Sequence, residues 1–424
     1  MGISLFRDGT TRFSPISRRL IAGQLLIGMG DGVVAPAWFL YLDHVRGFGP
    51  AAAGLSFTTR AAGLIALAPI AGWLADRHGP RGVVLAGTLC TMAGATGLAL
   101  SPWPTPVFVA SLALGIGVAC TAPTTRGVLL QSVPPPQRSR ATTASFLMWT
   151  LGLGGGGLLG GVLADPVHPI TFQLLFGALG ALGVLTRLVN LPAMPRRRAM
   201  PHAPADSASG RLSLGRAFLC YLALVSLLQL AGDSQTTSGL PGLATTLLDV
   251  SPRTIGFALA VNTAIVLLSY PWTRRLGRTV RPARSMGAVA LLWALGWTQL
   301  ELTTLAGRPA LSAASIIVFY ALFALGDVLL AAAAWPLVAE LAPAGALGRY
   351  LGLDLLTRQI GSAAGPMLSA AFIAAAAPIP LLALLTALCL GAAALTLRLH
   401  RLLDIADPVV GKDSHDSASL VRRE

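Results

Sequence analysis

The chain has 424 residues, of which 54% are hydrophobic and 11% are charged, and its mean hydropathy is +0.70. This composition excludes an ordinary soluble protein and predicts one that crosses a membrane several times. The net charge of +14 would suggest nucleic-acid binding in a soluble protein. Here the arginines lie in short clusters between apolar runs, as in membrane-protein loops, so we expect no nucleic-acid partner.

Twelve segments are long and apolar enough to be membrane-spanning helices, if a span takes about 20 residues and turns, prolines and charges mark its ends. The first run is too long for a signal peptide and lacks a small-residue cleavage site, so we expect none. The predicted fold class is therefore an all-α integral membrane protein. The predicted spans are 18–42, 51–75, 83–101, 106–131, 141–164, 170–191, 216–240, 253–273, 284–305, 310–338, 352–376 and 379–403.

The basic residues predict which way the chain crosses the bilayer. An even number of spans puts both termini on one side, and with them inside, 24 basic residues lie in inner segments against three in outer loops, Arg46, Arg253 and Arg308. Inner loops carry the excess of Lys and Arg, so both termini are predicted to be cytoplasmic. Heavy use of Arg, Ala, Gly and Pro is typical of a GC-rich bacterial genome. We therefore expect a multi-pass protein of a bacterial cytoplasmic (inner) membrane.

The longest break between spans is 192–215, which holds three consecutive arginines and a polar run. It predicts a cytoplasmic linker between two six-helix bundles. The N-terminal bundle would be 1–191 and the C-terminal bundle 216–403, followed by a cytoplasmic tail, 404–424.

The two predicted bundles repeat each other. Gly30-Asp31 matches Gly232-Asp233 at an offset of 202 residues, and Gly54 matches Gly256 at the same offset. Small residues of helix 5 recur in helix 11 at an offset of 209: Gly152, Gly156, Gly157, Gly160 and Gly161 match Gly361, Gly365, Pro366, Ser369 and Ala370. Parallel repeats related by an axis along the membrane normal are typical of transporters.

The helix 5 glycines could suggest a nucleotide-binding loop, but no strand precedes them. Small residues four apart allow two membrane helices to approach closely. We interpret them as a packing face that can slide, with purely structural packing as the alternative.

Charged side chains at membrane depth mark a candidate site, because each costs about 2.5–3.5 kcal/mol to insert. Asp31 lies near the predicted midplane, and Arg60 lies close to that level, so we expect them to pair. Asp233 is the repeat equivalent of Asp31, but Asn262 stands where Arg60 would be. With Asp327 in helix 10, these acids are candidates for proton coupling or substrate binding. The alternative is that each acid is structural and hydrogen-bonded to neighbours such as Gln229.

Aromatic side chains could complete that site. Trp38, Tyr41, Trp149 and Trp335 could line an apolar binding cavity, and interface anchoring or packing is the alternative for each.

The turn between helices 2 and 3 has its own pattern, GWLADRHGPR. Gly79 permits a tight reversal, and the arginines stay in the cytoplasm. With this turn and the helix 5 glycines, the chain resembles the major facilitator superfamily, and in particular its twelve-helix drug:proton antiporter branch. The resemblance rests on Gly72, Leu74, Asp76, Arg77, Gly79 and Arg81. Three departures are Pro80 for a basic residue, Gly157 for a proline, and Ser111 for an arginine in helix 4.

The resemblance implies alternating access between two parallel six-helix pseudo-repeats. It also implies that the turn latches against the start of helix 11 in one conformation. There, Asp354 and Arg358 are candidates to receive Arg77 and Asp76.

The sequence predicts a secondary transporter, namely a proton-coupled exporter of hydrophobic or cationic small molecules. We expect a monomer with a small-molecule substrate in the lipid bilayer, no metal and no cofactor, and the proton gradient as driving force. Two alternatives are uptake or symport of a specific metabolite and, in another class, a membrane sensor or scaffold. No catalytic set that would predict an enzyme is visible.

The turn also generates an asymmetric prediction. Its repeat counterpart begins at Arg274, so only the first copy offers a carboxylate. We expect Asp76→Asn to impair transport by changing the balance of conformations, and Arg274→Gln mainly to weaken topology. Transport assays and topology mapping of both variants test this, and equal effects on transport would contradict the latch.

Overall fold

The computed structural model describes residues 13–134, 137–194, 214–234, 239–246, 248, 250–279, 282–307, 309–343 and 347–406. Eight of its helices begin at a proline, which lacks the N–H that a helix start leaves unbonded. The helices are α1 (Pro15–Val34), α2 (Trp38–Leu40), α3 (Pro50–His78), α4 (Pro80–Leu100), α5 (Pro104–Gln131), α6 (Arg138–Leu163), α7 (Ile170–Asn190), α8 (Arg216–Asp233), α9 (Gly239–Thr246), α10 (Pro252–Thr279), α11 (Pro282–Leu305), α12 (Pro309–Leu341), α13 (Leu347–Ala374) and α14 (Pro378–Ala406).

The predicted fold class is confirmed, and each predicted span coincides with a helix or with a broken pair of helices. The breaks are the difference from prediction. The first span divides into α1, then α2 and a π-helical turn (Tyr41–Val45), with a bend of 41°. Pro36 accounts for this break, because it has no backbone N–H to bond the carbonyl four residues earlier and its ring crowds that carbonyl. The seventh span divides into α8 and α9.

The two breaks occupy equivalent places in the repeat. α1 ends three residues after Asp31, and α8 ends at Asp233. In each case the helix ends close to a membrane-depth acid, so the repeat extends to the interruption itself.

Length and apolarity alone identify fewer membrane-spanning helices than the twelve spans predicted from the sequence. Within the described ranges, nine helices are long and apolar enough to cross a membrane, or ten if the bent pair at the start counts as one. α11 and α13 are not among them. Charges such as Asp354 and Arg358 lower the hydropathy of α13, which nevertheless packs inside the bundle against α3 and α8.

The helices form two pseudo-repeats. In the first, α1 packs on α6 and α7, while α5 packs on α3 and α4. In the second, α8 packs on α13 and α14, while α12 packs on α10 and α11. Most of the proposed linker, 195–213, and the tail from 407 onward lie outside the described residues, so the domain boundaries stay a prediction.

Two seams join the bundles, α6 against α10 and α3 against α13. A side chain added at Gly256 would meet the carbonyl oxygen of Gly157, and one added at Gly54 would meet the carbonyl oxygen of Pro366. These pairs are repeat equivalents, so both seams use the same close backbone approach.

Both seams lie toward one end of the molecule, away from the arginine clusters. We call this the opposite end, and the end with Arg18, Arg19 and the α3–α4 turn the arginine-rich end. The α2 and α9 segments also meet there, where Phe39 packs against Gly242. At the arginine-rich end of α3, by contrast, an added side chain at Gly72 would find nothing within 4 Å. The bundles are therefore closed together at the opposite end.

The seam predicts that a bulky residue prevents this closure. A side chain at Gly161 would meet the Pro252 oxygen at 2.6 Å, whereas one at Gly155 would meet nothing within 4 Å. We expect Gly161→Val to separate the opposite ends of the bundles and Gly155→Val to leave them closed.

Spin labels at the exposed positions Val167 and Ser251, in a variant without native cysteines, measure this separation. The distance distribution should shift to longer values only for Gly161→Val. An unchanged distribution would show that the seam tolerates side chains.

Candidate functional site

In the first bundle, three helices meet around Asp31. The Arg60 guanidinium of α3 lies 3.6 Å from its carboxylate, and the Trp149 indole N–H of α6 donates to it at 3.2 Å. The Asp31 and Arg60 side chains are 32% and 31% exposed. The predicted pair therefore forms, and it remains open enough for a proton or a ligand to reach it.

Trp38 supports Arg60. The guanidinium carbon lies 5.6 Å from the ring centroid, and the indole N–H donates to Ser56 at 3.1 Å. Trp38 is only 3% exposed and packs on Phe57 and Phe176. It is therefore a packed platform rather than the wall of an open cavity.

In the second bundle, the repeat-equivalent acid has different neighbours. Gln229, one turn earlier in α8, donates to the Asp233 carboxylate at 3.1 Å, as the structural alternative predicted. Arg358 of α13 and Arg60 of α3 also interact with it electrostatically. The Asp233 carboxylate therefore has an amide donor in its own helix and guanidinium charges of α13 and α3 in its surroundings.

Asp327 of α12 is the third acid. It interacts with Asp233 and with the Asn262 amide. Asn262 is buried and also donates to the Tyr320 carbonyl at 3.1 Å. The second bundle therefore brings two carboxylates together where the first has one carboxylate beside an arginine.

Trp149 and Arg358 are related by the helix 5 to helix 11 offset. Trp149 donates to Asp31, whereas Arg358 interacts electrostatically with Asp233. The first bundle places its arginine on α3 and the second places one on α13. Sequence reasoning missed both roles, although the offset alone would have paired the two positions.

The glycines singled out in α6 and α13 are placed as a packing face. Added side chains at Gly152, Gly156 and Gly160 would meet the α1 backbone, and those at Gly361 and Gly365 the α8 backbone. Gly157, Gly161 and Pro366 lie on the seams between the bundles. The predicted close approach is therefore present, and its sliding stays a prediction.

The predicted latch residues are engaged within their own bundles. Arg358 donates to both oxygens of Asp354 at 3.0 Å, and Tyr221 of α8 donates to the same carboxylate at 2.8 Å. Arg77 lies over the Trp73 ring, 5.4 Å from its centroid, rather than against Asp354. The Asp76 side chain lies outside the described part. In this conformation, therefore, Arg77 contacts Trp73, whereas Asp354 and Arg358 contact each other.

Gly79 has the backbone geometry expected for the turn, with φ of +91°, and it ends α3 and begins α4. The Arg81 carbonyl accepts from Arg187 of α7 at 3.0 Å. The role of Arg187 had no sequence signal apart from its charge within an apolar run.

The four cysteines are free, and no cluster of three or more His, Cys, Asp or Glu that could hold a metal occurs in the described ranges.

The Tyr221–Asp354–Arg358 network predicts a large stability effect. Its two charged side chains are only 12% and 21% exposed, so Asp354→Asn leaves a mostly buried cation without its carboxylate. Losing one partner of a buried pair costs about 3 kcal/mol. We expect a clearly lower thermal unfolding midpoint in detergent.

The matched control is Asp165→Asn in the exposed α6–α7 loop. A hydrogen bond from His168 holds the pKa of the Asp165 carboxyl below its ordinary value, but this pair is solvated. The control should unfold like the wild type. Equal midpoints for all three proteins would contradict a stabilising network.

Comparison with known proteins agrees with this architecture. The Major Facilitator Superfamily family model matches residues 20–366. Multidrug resistance protein MdtH of Aeromonas salmonicida (strain A449) is 26% identical over 348 residues, which cover 82% of this chain and 84% of that protein. MdtH of Klebsiella pneumoniae (strain 342) is 24% identical over 349 residues, covering 82% and 83%.

Solved structures share the fold at low sequence identity. A POT family transporter in complex with 5-aminolevulinic acid superposes with a TM-score of 0.73 at 15% identity, covering 93% of this chain and 96% of that one. A bacterial homologue of the human lysosomal transporter Spinster, in an inward-facing and unoccupied conformation, gives 0.71 at 16% identity, covering 93% and 98%. With the family model matching most of its length, this chain belongs to the Major Facilitator Superfamily of transporters.

Proposed function

We propose that the protein exports hydrophobic, cationic small molecules in exchange for protons. In this proposal it works as a monomer in a bacterial cytoplasmic membrane, with both termini in the cytoplasm and with the proton gradient in place of any cofactor. The observation that carries the proposal is the shared position of Arg60, which contacts Asp31 and also interacts with Asp233. The MdtH relatives, named as multidrug resistance proteins, support the efflux direction.

Arg60 provides a physical link between a proton and a cationic substrate. While Asp31 is ionised, it neutralises Arg60, and the carboxylates of Asp233 and Asp327 attract a cation. When Asp31 takes a proton, the positive charge of Arg60 is no longer balanced there, and it acts more strongly on Asp233. A proton on one bundle thus weakens cation binding on the other, which is the exclusion that antiport requires.

The closed opposite end fits one stage of this cycle. If the arginine-rich end is cytoplasmic, the present conformation faces inward, and a substrate reaches the acids from the cytoplasm. After the seams open and the arginine-rich end closes, protons from outside neutralise Asp31, and the substrate leaves.

The other functions remain as test outcomes. Counterflow of a labelled metabolite without any resistance phenotype would favour uptake. Absence of all transport by a correctly folded protein would favour a sensor or scaffold.

The decisive variant is Asp31→Asn, which imitates the protonated acid. In proteoliposomes, we expect efflux of tetraphenylphosphonium driven by a pH gradient to fall at least tenfold, because the exchange site no longer titrates. In detergent, wild-type binding of the same cation should weaken as the pH is lowered, whereas Asp31→Asn should bind weakly at every pH.

Arg60→Gln tests whether Arg60 carries the pH dependence of cation binding, or whether the loss of the Asp31 charge alone explains it. It should bind the cation with little dependence on pH, since the group that carries the signal is absent. Asp165→Asn, outside the predicted spans, should behave as wild type. Wild-type pH dependence in both Asp31→Asn and Arg60→Gln would overturn the mechanism.

A further inference from the structure

The first turn of α4 lies at the arginine-rich end. The residue before it, Gly79, does not cap the backbone N–H groups of this turn. α4 has 21 residues, and its N-cap, Gly79, has no side chain that could accept from them. Pro80 has no N–H, so helix geometry leaves the N–H groups of Arg81 and Gly82 without intrahelical acceptors. Gly82 is exposed, and an added side chain there would meet nothing within 4 Å. This helix start is therefore open and electropositive.

A buried arginine reaches the same turn from α7. Arg187 is 5% exposed, and one of its terminal nitrogens donates to the Arg81 carbonyl at 3.0 Å. Its Nε and Nη1 atoms have no hydrogen-bond partner among the described residues. A buried guanidinium with unused donors is costly, so it calls for an acceptor, best an anionic one.

The neighbouring charges add to the need for an anion. The Arg81 guanidinium is close enough to Arg187 for the two charges to repel. Arg77 and His78, at the end of α3, are exposed beside the same turn. The start of α4 therefore lies at the same end of the molecule as basic side chains from α3 and α7.

We propose that the α4 N-terminus and Arg187 form a binding site for a phosphate group. Backbone N–H groups at a helix start and a guanidinium both match phosphate oxygens. Arg81 would contact the group from the exposed side, and Arg187, whose Nε and Nη1 have no hydrogen-bond partner among the described residues, would contact it from the α7 side. The site is separate from Asp31 and Asp233 and does not depend on the proposed antiport.

A lipid headgroup and free phosphate can both supply a phosphate group at the arginine-rich end. α7 ends and α4 begins at the arginine-rich end, where a membrane-surface phosphate would lie, and basic pockets between membrane helices on the cytoplasmic side bind anionic lipid headgroups. Free phosphate presents the same oxygens. Binding at the turn would hold α3 and α4 in their present relation and so bias the conformations of the transporter.

The test compares lipids, free phosphate and matched arginine variants. Purified full-length protein is placed in nanodiscs of phosphatidylglycerol or phosphatidylcholine, and in detergent with or without inorganic phosphate. Native mass spectrometry counts retained lipid, and the thermal unfolding midpoint reports stabilisation. The variants are Arg187→Gln, the charge-preserving Arg187→Lys, and Arg19→Gln, an exposed arginine of the same end.

We expect phosphatidylglycerol to raise the wild-type midpoint above its value in phosphatidylcholine and to stay bound after delipidation. Arg187→Gln should lose both effects, Arg187→Lys should keep part of them, and Arg19→Gln should keep both. If inorganic phosphate gives the same stabilisation, lost in Arg187→Gln, free phosphate is the ligand source.

Two results would overturn the site. One is equal loss of lipid binding in Arg187→Gln and Arg19→Gln, which would indicate unspecific charge attraction. The other is a higher midpoint for Arg187→Gln than for wild type in every lipid. That would mean that Arg187 is a buried cation without a ligand. If Arg187→Gln does not fold, Arg187→Lys decides the question: weaker retention of phosphatidylglycerol than in Arg19→Gln supports the site, and equal retention in the two variants overturns it.

Discussion

Close backbone contact along α6 is the constraint on which the rest of the structure depends. Three of its glycines, Gly152, Gly156 and Gly160, lie against the backbone of α1, while Gly157 and Gly161 lie against α10. One helix thus packs without intervening side chains on a partner in its own bundle and on a partner in the other. Trp149 lies at the start of this glycine run and donates to Asp31, so the helix that forms the α6–α10 seam also contacts the acid.

The two bundles match each other in backbone packing but differ in their charged side chains. Gly54 and Gly256 make equivalent seam contacts, and both bundles interrupt their first helix near the acid. Yet Arg60 corresponds to Asn262, so the equivalent positions hold a guanidinium in the first bundle and an amide in the second. Equal backbones give the two bundles matching seams, whereas unequal charges give Asp31 and Asp233 different surroundings.

Much of this could be predicted from the sequence because the membrane restricts the possibilities. Apolar length predicts helices, charge at depth predicts a site, and the pairing of Asp31 with Arg60 follows from their similar depth. The break in the first span was missed because the apolar pattern runs through Pro36. The contacts of Trp149, Tyr221 and Arg187 were missed for another reason, since they depend on how each helix is rotated, which hydropathy does not determine. The latch residues illustrate a further limit: Asp354 and Arg358 are one turn apart and satisfy each other, so their spacing fits a local pair as well as a contact across the bundles.

The two arginine–aspartate pairs differ in a way that suits different tasks. Asp354 and Arg358 are 3.0 Å apart and at most 21% exposed, while Asp31 and Arg60 are 3.6 Å apart and about a third exposed. At 3.6 Å, two unit charges attract by about 4–5 kcal/mol if the effective dielectric constant is about 20, before desolvation is subtracted. A proton gradient of one pH unit supplies about 1.4 kcal/mol, and 100 mV of membrane potential adds about 2.3 kcal/mol per charge. These are of the same order as the attraction in the looser pair. The Asp354–Arg358 pair is closer, less exposed and joined by a tyrosine hydroxyl, so of these two pairs Asp31–Arg60 is the more easily separated.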